Sequence, residues 1–455
     1  MKISKEIHQL IFKRLIFLNS TIYKKYFELV EGDLIPRIPL PQKSEIALRV
    51  QFKKISFLFL MMIIYWVQVI RIYNKKQESL TLIYSLTREQ IVRKNKIEEL
   101  LLFLSQERFD LTSTRKILVE SKKLIYKRNL GRLKITYDIS LRLFIDYASF
   151  RDKIRILKYI TSKFVYVFLN LRKDSYLVLA SKEFIFDETV FDVLGPGFKI
   201  DKVITTVSSL NYQPFIFEKS IVKGKRFMLW YSVNSIPVEY RKPRAGVWTL
   251  DRDVYKFMKV DCHWVWNLDH KTYLSTLTNS KIEVKGSMVF YSNNKFFKGK
   301  NLDIVVFDVT PTTGVFSNNS IYHFDLLSQF ILNILEVSHS VSLFNNKPLK
   351  VSLKPKRINS KHHDSRYLQL LSRLEHNRQI EILDATCNLY SVISSSKLII
   401  SYPFTAPAVI GKELQVPSIY YLPEDLLLTD KKVHGIPFFQ NINALDRYVS
   451  KLFES

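Results

Sequence analysis

Two short stretches of this 455-residue chain carry residue types suited to binding phosphate. The first is SYPFTAP (Ser401–Pro407), hydroxyls and small residues set between Pro403 and Pro407. An apolar LII precedes it and SIYY follows shortly after, and both read as buried strands. Breakers at this density mark a sharp turn. Pro407 suits a first helical turn, where its missing N–H costs nothing, and Thr405 suits the N-cap before it. The free N–H groups of Ala406, Ala408 and Val409, with the helix dipole, then face an anion. Small Ala406 and Ala408 let a diphosphate approach, and Ser401 adds a second hydroxyl. The other stretch is SLKPKR (Ser352–Arg357). Its Lys354, Lys356 and Arg357 gather cations at another strand end, fit to neutralise a phosphate or a sugar carboxylate. Taken alone, each stretch also reads as plain structure: a capped helix that binds nothing, and a solvated basic loop.

Further candidates are scattered. DVTPTTG (Asp308–Gly314) places Thr310 and Thr312 beyond another apolar run, where they would line a cleft. A general base facing a hydroxyl is a carboxylate or an imidazole. VDCHWVWNLDH (Val260–His270) offers Asp261 and His263 beside Trp264 and Trp266, rings that stack on sugars or fill a core. Ser232 and Asn234 in WYSVNS are candidates for orienting an acceptor. No GxGxxG or GxxxxGK(S/T) occurs, so a standard dinucleotide site or P-loop lacks motif support. No predicted strand end carries DxD, and no His/Cys spacing suits a metal, so neither metal nor cofactor is expected. Asp251-Arg252-Asp253 matches DxD formally and reads as a helix start capped by Asp251.

These residues need strands and turns to position them. From residue 286 onward, strands alternate with helices: LDIVVFDVTP (Leu302–Pro311), LKVSLKPKR (Leu349–Arg357), IEILD (Ile380–Asp384), KLIIS (Lys397–Ser401) and PSIYY (Pro417–Tyr421) are the strands. That alternation implies right-handed crossovers and a parallel sheet, whose ligands bind beyond the carboxyl ends of the strands. Short apolar and aromatic runs over 166–285 suggest a second α/β domain. Residues 1–165 read as a mainly helical, basic region.

Charge and apolarity concentrate in that first region. Lys+Arg minus Asp+Glu is 69 − 42 = +27, and residues 1–150 hold 28 basic and 14 acidic residues, about half of the excess. Such a field suits anionic partners: membrane, nucleic acid or phosphorylated ligands. Two cysteines without CxxC fit a reducing compartment and no disulfide framework. ISFLFLMMIIYWVQVI (Ile55–Ile70), flanked by lysine and arginine on both sides, is 16 residues with Ser56 and Gln68 as its polar interruptions. At about 1.5 Å per residue it reaches roughly 24 Å, short of a typical ~30 Å hydrocarbon core. A spanning, an interfacial and a buried helix all remain open.

The run SLKPKR…DSRYLQLL…IEILD…LIISYPFTAPAVIGKELQVPSIYYLPEDL resembles the PFTS-motif family of surface-polysaccharide biosynthesis proteins, over about residues 300–430. It is loosely similar to the C-terminal domains of CDP-glycerol glycerophosphotransferases and Kdo transferases, which carry a KPHP-like strand end and a Ser/Thr-rich loop before a donor-binding helix. FMLWYSVNSIP (Phe227–Pro237) looks like the family's central motif. The family's serine is Ala406 here, and the KPHP histidine is Lys356, which removes imidazole chemistry at that position. The resemblance implies an α/β, GT-B-like fold, two Rossmann-like domains facing a cleft with an N-terminal helical extension. It assigns 166–285 to the acceptor and 286–455 to a nucleotide-activated sugar. It implies a metal-independent glycosyltransferase of O-antigen or capsule synthesis acting on a lipid-linked glycan, cytoplasmic and peripheral on the inner face of the cytoplasmic membrane. A non-catalytic scaffold on the same fold and a nucleotide-sugar epimerase are the alternatives. A nucleic-acid-binding protein is a third, favoured by charge and aromatics but by no recognisable motif. Head-group attraction is screened within about 8–10 Å at physiological ionic strength. A peripheral protein should therefore leave membrane fractions in a high-salt wash followed by immunoblotting, whereas retention would indicate a spanning helix.

Overall fold

The computed structural model describes 148–170, 181–194, 200–206, 215–218, 225–230, 258–286, 301–311, 321–355, 363–385, 387–428 and 432–454. It also describes strands within 80–138 and 239–249 and single positions elsewhere. These residues fall into two compact units. Unit 1 comprises Met1–Tyr231, Val254–Trp264 and Leu277–Glu283; unit 2 comprises Ser232–Asp253, Val265–Thr276 and Val284–Ser455.

Unit 1 is built on β1 (Leu80–Tyr84), β2 (Lys116–Glu120), β3 (Tyr126–Leu130), β4 (Leu133–Asp138), β5 (Ile200–Thr205) and β6 (Lys225–Leu229). The sheet is completed by β9 (Cys262–Val265) and β10 (Lys281–Val284), and its order is β10-β9-β6-β5-β1-β2-β4-β3. β1, β2, β4, β5, β6 and β9 all pair in parallel. Numbered along the chain, those six stand in the order 3-2-1-4-5-6. Between β4 and β5 lie α1 (Phe150–Asn170) and α2 (Glu188–Leu194), the latter entered through a π-turn at Glu183–Asp187. Within residues 1–165, read as mainly helical, four strands of the first sheet stand beside helical positions among the described residues. LTLIY and LKITY are β-branched runs, and tertiary pairing outweighs the charges that bound them.

Unit 2 uses β11 (Leu302–Phe307), β12 (Val351–Lys354), β13 (Glu381–Ile382), β14 (Ser396–Ser401), β15 (Ser418–Tyr421), β17 (Lys432–Val433) and β18 (Ile436–Phe439), ordered β13-β12-β11-β14-β15-β18-β17. All but β17 run parallel, and they repeat the 3-2-1-4-5-6 order. A small sheet joins β7 (Glu239–Arg244), β8 (Val247–Thr249) and β16 (Leu427–Leu428). Its β7–β16 pairing and the Arg241–Asp425 ion pair at 2.8 Å tie residues 239–249 to unit 2. The boundary expected at 165/166 falls inside α1 in unit 1, and the one expected at 285/286 is preceded by two excursions of the chain into unit 2, Ser232–Asp253 and Val265–Thr276.

The helices of unit 2 are α3 (Leu268–Ser275), α4 (Phe324–Phe344), α5 (Ser365–His376), α6 (Leu389–Ser394), α7 (Ala406–Glu413) and α8 (Ile442–Phe453). Strand alternation assigns helices to faces. Tyr402 and Tyr421 turn toward α4, their rings 5.1 and 6.0 Å from Phe330. α4 is long and apolar enough to cross a membrane by composition; here it buries Leu326, Phe330, Ile331 and Ile334. On the other face, α7 comes so near the sheet that a Cβ on Gly411 would collide with Ser418 Oγ and lie 2.7 Å from Ile399 Cδ1.

Among the described positions of Ile55–Ile70, all helical, Leu58 is buried while Phe59, Leu60 and Ile63 are exposed.

Two imidazoles are held neutral by burial. His263 in β9 and His434 in the β17–β18 turn are each pushed down to about 4. Around His434, Asp269 opposes the shift and Lys412 reinforces it. Lys412 Nζ also donates to the His434 carbonyl at 2.7 Å.

Two predictions follow from this packing. Gly411→Ala should destabilise the protein by about 1–3 kcal/mol, the usual cost of overpacking, and urea unfolding should show less loss when Ser418→Ala is added. A histidine whose folded pKa lies below its unfolded value takes up a proton on unfolding, so stability is full above about 6.5 and falls as pH drops toward 4. His434→Asn, whose residue type tolerates the positive φ of 56° found there, should flatten part of that slope in melts recorded across the window.

Candidate functional site

The strand order of unit 2 reverses between β11 and β14, and crevices at such a reversal are where open α/β sheets bind ligands. Register makes the edge explicit. Phe307 is level with Lys354 on one side and Ser401 on the other, about 10 Å apart across two strand spacings. The strand ends Asp308–Pro311, Lys354 and Ser401–Thr405 therefore share one edge, as the alternating sequence pattern required.

Beyond β14 the chain turns within four residues. Tyr402 N–H still pairs with Phe307 O at 2.9 Å, and Tyr402 Oη donates to the Ile321 carbonyl. Phe404 then adopts φ +61°, a left-handed conformation that non-glycine residues rarely hold. Its buried ring packs 5.9 Å from both Tyr420 and Phe438. Thr405 is extended at φ −100°, ψ 147° and is the N-cap of α7, with Pro407 in the first turn.

Thr405 does not cap with its side chain. Its hydroxyl donates back to Tyr402 O at 2.8 Å, and its own carbonyl accepts from Tyr420 Oη at 3.2 Å. Pro407 has no N–H, and Val409 N–H belongs to the i→i−4 ladder, which leaves Ala406 and Ala408 as the outward donors of the first turn. The expected third donor, Val409, is thereby corrected.

Ser401 lies beneath those donors. Ile399 faces α7 at Gly411, and Ser401, two residues on, faces the same way. From Gly411 back to Ala406 the helix rises about 7.5 Å, while two strand residues advance about 6.6 Å. The Ser401 side chain therefore sits under the first turn of α7. It is fully buried, and its Oγ has no hydrogen-bond partner. A buried unpartnered hydroxyl beneath an uncapped helix start is an arrangement poised to donate to an anion.

Lys354 is buried, and its Nζ donates to Ala385 O at 3.1 Å, beyond β13 and away from β14. Lys354 Nζ and Thr405 Oγ1 each donate to a backbone carbonyl, Ala385 O and Tyr402 O. Thr310 Oγ1 donates to Asp308 Oδ2 at 3.4 Å, and Tyr367 Oη donates to the same atom at 2.8 Å. Burial, with the Asp308 carboxylate beside it, holds the Tyr367 phenol well above its usual range. Sequence reasoning missed the Asp308–Tyr367 pair, whose members are 59 positions apart. It also missed the left-handed Phe404, although the Pro-Phe-Thr run was its local signal.

The base candidates in unit 1 do not reach a carboxyl edge. Asp261 precedes β9, so chain direction puts it at the amino end of that parallel strand. There its Oδ2 accepts from Arg226 N–H at 2.7 Å. His263 is fully buried, with Nδ1 accepting from Trp230 Nε1 at 3.1 Å. Its low pKa comes from burial, and it stands within β9 rather than beyond that strand's carboxyl end. Ser232, Asn234, Asp251, Asp253, Thr312, Lys356 and Arg357 lie outside the described residues.

Several solved structures are similar at low identity. The E. coli trehalose-6-phosphate structure bound with UDP-2-fluoro glucose is 10% identical at TM-score 0.44, covering 83% of this chain and 90% of that one. An α,α-trehalose-phosphate synthase (UDP-forming) from Burkholderia vietnamiensis is 10% identical at TM-score 0.42, covering 83% and 91%. UDP-GlcNAc 2-epimerase from Methanocaldococcus jannaschii is 12% identical at TM-score 0.40, covering 83% and 92%. No curated protein matches the sequence. Residues 182–449, well over half of the chain, match the polysaccharide biosynthesis PFTS motif proteins. Its own Pro403-Phe404-Thr405-Ala406 forms the turn just described, and the chain belongs to that PFTS motif family.

Proposed function

We propose that this protein is a glycosyltransferase of surface-polysaccharide synthesis, moving a sugar from a nucleotide-activated donor to a lipid-linked glycan such as an O-antigen or capsule precursor. The observation that carries the reading is the uncapped start of α7 above the unpartnered Ser401 hydroxyl, at the strand-order reversal of unit 2. The donor diphosphate binds there, receiving Ala406 and Ala408 N–H and Ser401 Oγ–H. The helix dipole favours the charge that develops on the leaving diphosphate as the glycosidic bond breaks. Lys356 and Arg357 supply cations from the loop after β12, so the leaving group is met by the chain's own donors and no metal is required of the reaction. Lys354, at the end of β12, donates to Ala385 O. The acceptor reading places the enzyme on the inner face of the cytoplasmic membrane.

Ser401→Ala separates this reading from a purely structural turn. Loss of one hydrogen bond to a charged group should weaken nucleoside diphosphate binding by about 1.5–3 kcal/mol, roughly 10–150-fold, in calorimetry. The same change removes a buried unpaired hydroxyl, so thermal stability should hold or rise. Thr405→Val should show the reverse: lower stability through loss of the Tyr402 bond, with a smaller effect on affinity. Undiminished binding by a folded Ser401→Ala protein would sink the phosphate site.

A further inference from the structure

α1 carries large apolar residues on both of its faces. Its buried face comprises Lys153, Ile156, Ile160, Lys163 and Val167, so two of its lysines are hidden. Lys163 is held there by a 2.7 Å ion pair with Glu188 and lies 4.8 Å from the centre of the Phe184 ring. The opposite side exposes Phe150 at 62%, Ile154 at 49%, Val165 at 48%, Phe168 at 59% and Leu169 at 67%. With 3.6 residues per turn these five fall within an arc of about 100°, Phe150 and Ile154 at one end of about 28 Å of helix and Val165, Phe168 and Leu169 at the other, with Lys158 on the same arc between them. A water-facing helix normally shows the reverse distribution.

This exposed face continues onto a second helical segment. Phe59 meets Phe164 at 6.1 Å between ring centres, on the edge of α1 between its exposed and buried faces. Phe59, Leu60 and Ile63 are themselves about half exposed. Arg151 and Arg155 are exposed along the other edge of this face, and Lys158 is exposed within it. α1 as a whole carries five Lys/Arg and one acid, Asp152. An apolar strip of this size on a soluble face marks an interaction surface. Its charge chooses the occupant: cations along one edge and within it, on a chain of net charge +27, match an anionic plane.

We propose that α1, with the segment containing Phe59, Leu60 and Ile63, is a membrane-docking face that lies in the head-group layer of an anionic bilayer. α1 lies in the plane of the surface, since its far side is committed to α2 through Lys163 and Glu188. The apolar stripe enters the boundary between head groups and acyl chains, while Arg151, Arg155 and Lys158 meet lipid phosphates. Attachment is therefore not confined to the Ile55–Ile70 run. The inference supplies a membrane face for the proposed lipid-linked acceptor, yet it does not depend on sugar transfer.

Flotation of the full-length protein with vesicles of phosphatidylcholine and phosphatidylglycerol, against phosphatidylcholine alone, tests it. The protein should float with the mixed vesicles and much less with the neutral ones. Ile154→Glu with Val165→Glu, both on the exposed face, should weaken binding at least about tenfold per substitution, since each loses a side chain's burial. Arg155→Ala with Lys158→Ala should lose about fivefold per charge and flatten the salt dependence; this pair keeps the test open should the glutamates perturb folding. Leu268→Glu, at an exposed apolar position in unit 2, should leave flotation unchanged. Flotation by the double glutamate variant equal to that of the unmodified protein overturns the proposal. So does a solution dimer that the same variant turns into a monomer, because a second copy would then be the occupant. Vesicle binding by a protein that ignores nucleoside diphosphates leaves the docking face standing and removes the transferase reading.

Discussion

Gly411 has no side chain, and α7 rests on the sheet at that point. The near contacts with Ile399 and Ser418 fix how low the helix lies over β14 and β15. Much of the candidate site follows from that height. Because helix rise and strand advance nearly match over the relevant residues, a helix seated at Gly411 brings its first turn above Ser401. A helix held further from the sheet would leave the Ser401 hydroxyl apart from the N–H groups of the first turn, and one anion could not engage both. The backbone at Phe404 answers the same constraint. The chain must leave β14, reverse and start a helix within four residues, and a left-handed residue permits the reversal.

That arrangement has costs, and the surroundings offset them. A non-glycine residue at φ +61° carries strain on the order of 1–3 kcal/mol. Burying the Phe404 ring against Tyr420 and Phe438 returns roughly 1.5–3 kcal/mol. The Thr405 hydroxyl binds back to Tyr402 O, and Tyr420 Oη holds Thr405 O, so the turn is braced from within. Ser401 has no such compensation. A small buried alanine would fit the same strand without leaving a hydroxyl unpaired, so packing alone gives no reason for serine there. The turn is thus built to be rigid everywhere except in the bonding of one hydroxyl and two N–H groups, the groups an anion would engage.

Unit 2 was largely legible because its strands are apolar runs closed by turn residues and separated by helices of ordinary length. β18 escaped, since Pro437 inside IPFF argues against a strand; there it faces the short antiparallel β17 rather than a parallel neighbour. In unit 1, β3 reads YKRNL. Charges in the middle of a run argue against a core strand, but β3 is the outermost strand of its sheet, where charge discourages further pairing. For the site, the motif placed Thr405 at the head of α7. It did not show which acceptor the hydroxyl would choose, because Tyr402 O comes within reach only once Phe404 has turned the chain. Asp261 was misplaced for a related reason: spacing identified a strand near His263 but not that Asp261 stands at its amino end. The Asp308–Tyr367 bond joins a strand end to a helix three elements later, and no local pattern encodes such a pair.

The two units handle charge in opposite ways, and the contrast bears on the net +27 of the chain. In unit 2, Lys354 at the candidate site and Lys412 at the far end of α7 are tied to carbonyls, those of Ala385 and His434. In α1 of unit 1, a lysine is driven inward and paired with a buried glutamate while phenylalanine and leucine stay outside. Solubility would call for the opposite order along that helix. Burying Lys163 costs desolvation that its ion pair only partly recovers, and exposing five large apolar side chains forfeits the burial they would gain inside. Both terms disfavour α1 in water. A surface whose acyl chains take the apolar stripe and whose phosphates take the flanking cations removes the second cost, and leaves the Lys163–Glu188 pair as the contact that keeps the helix anchored to its own fold.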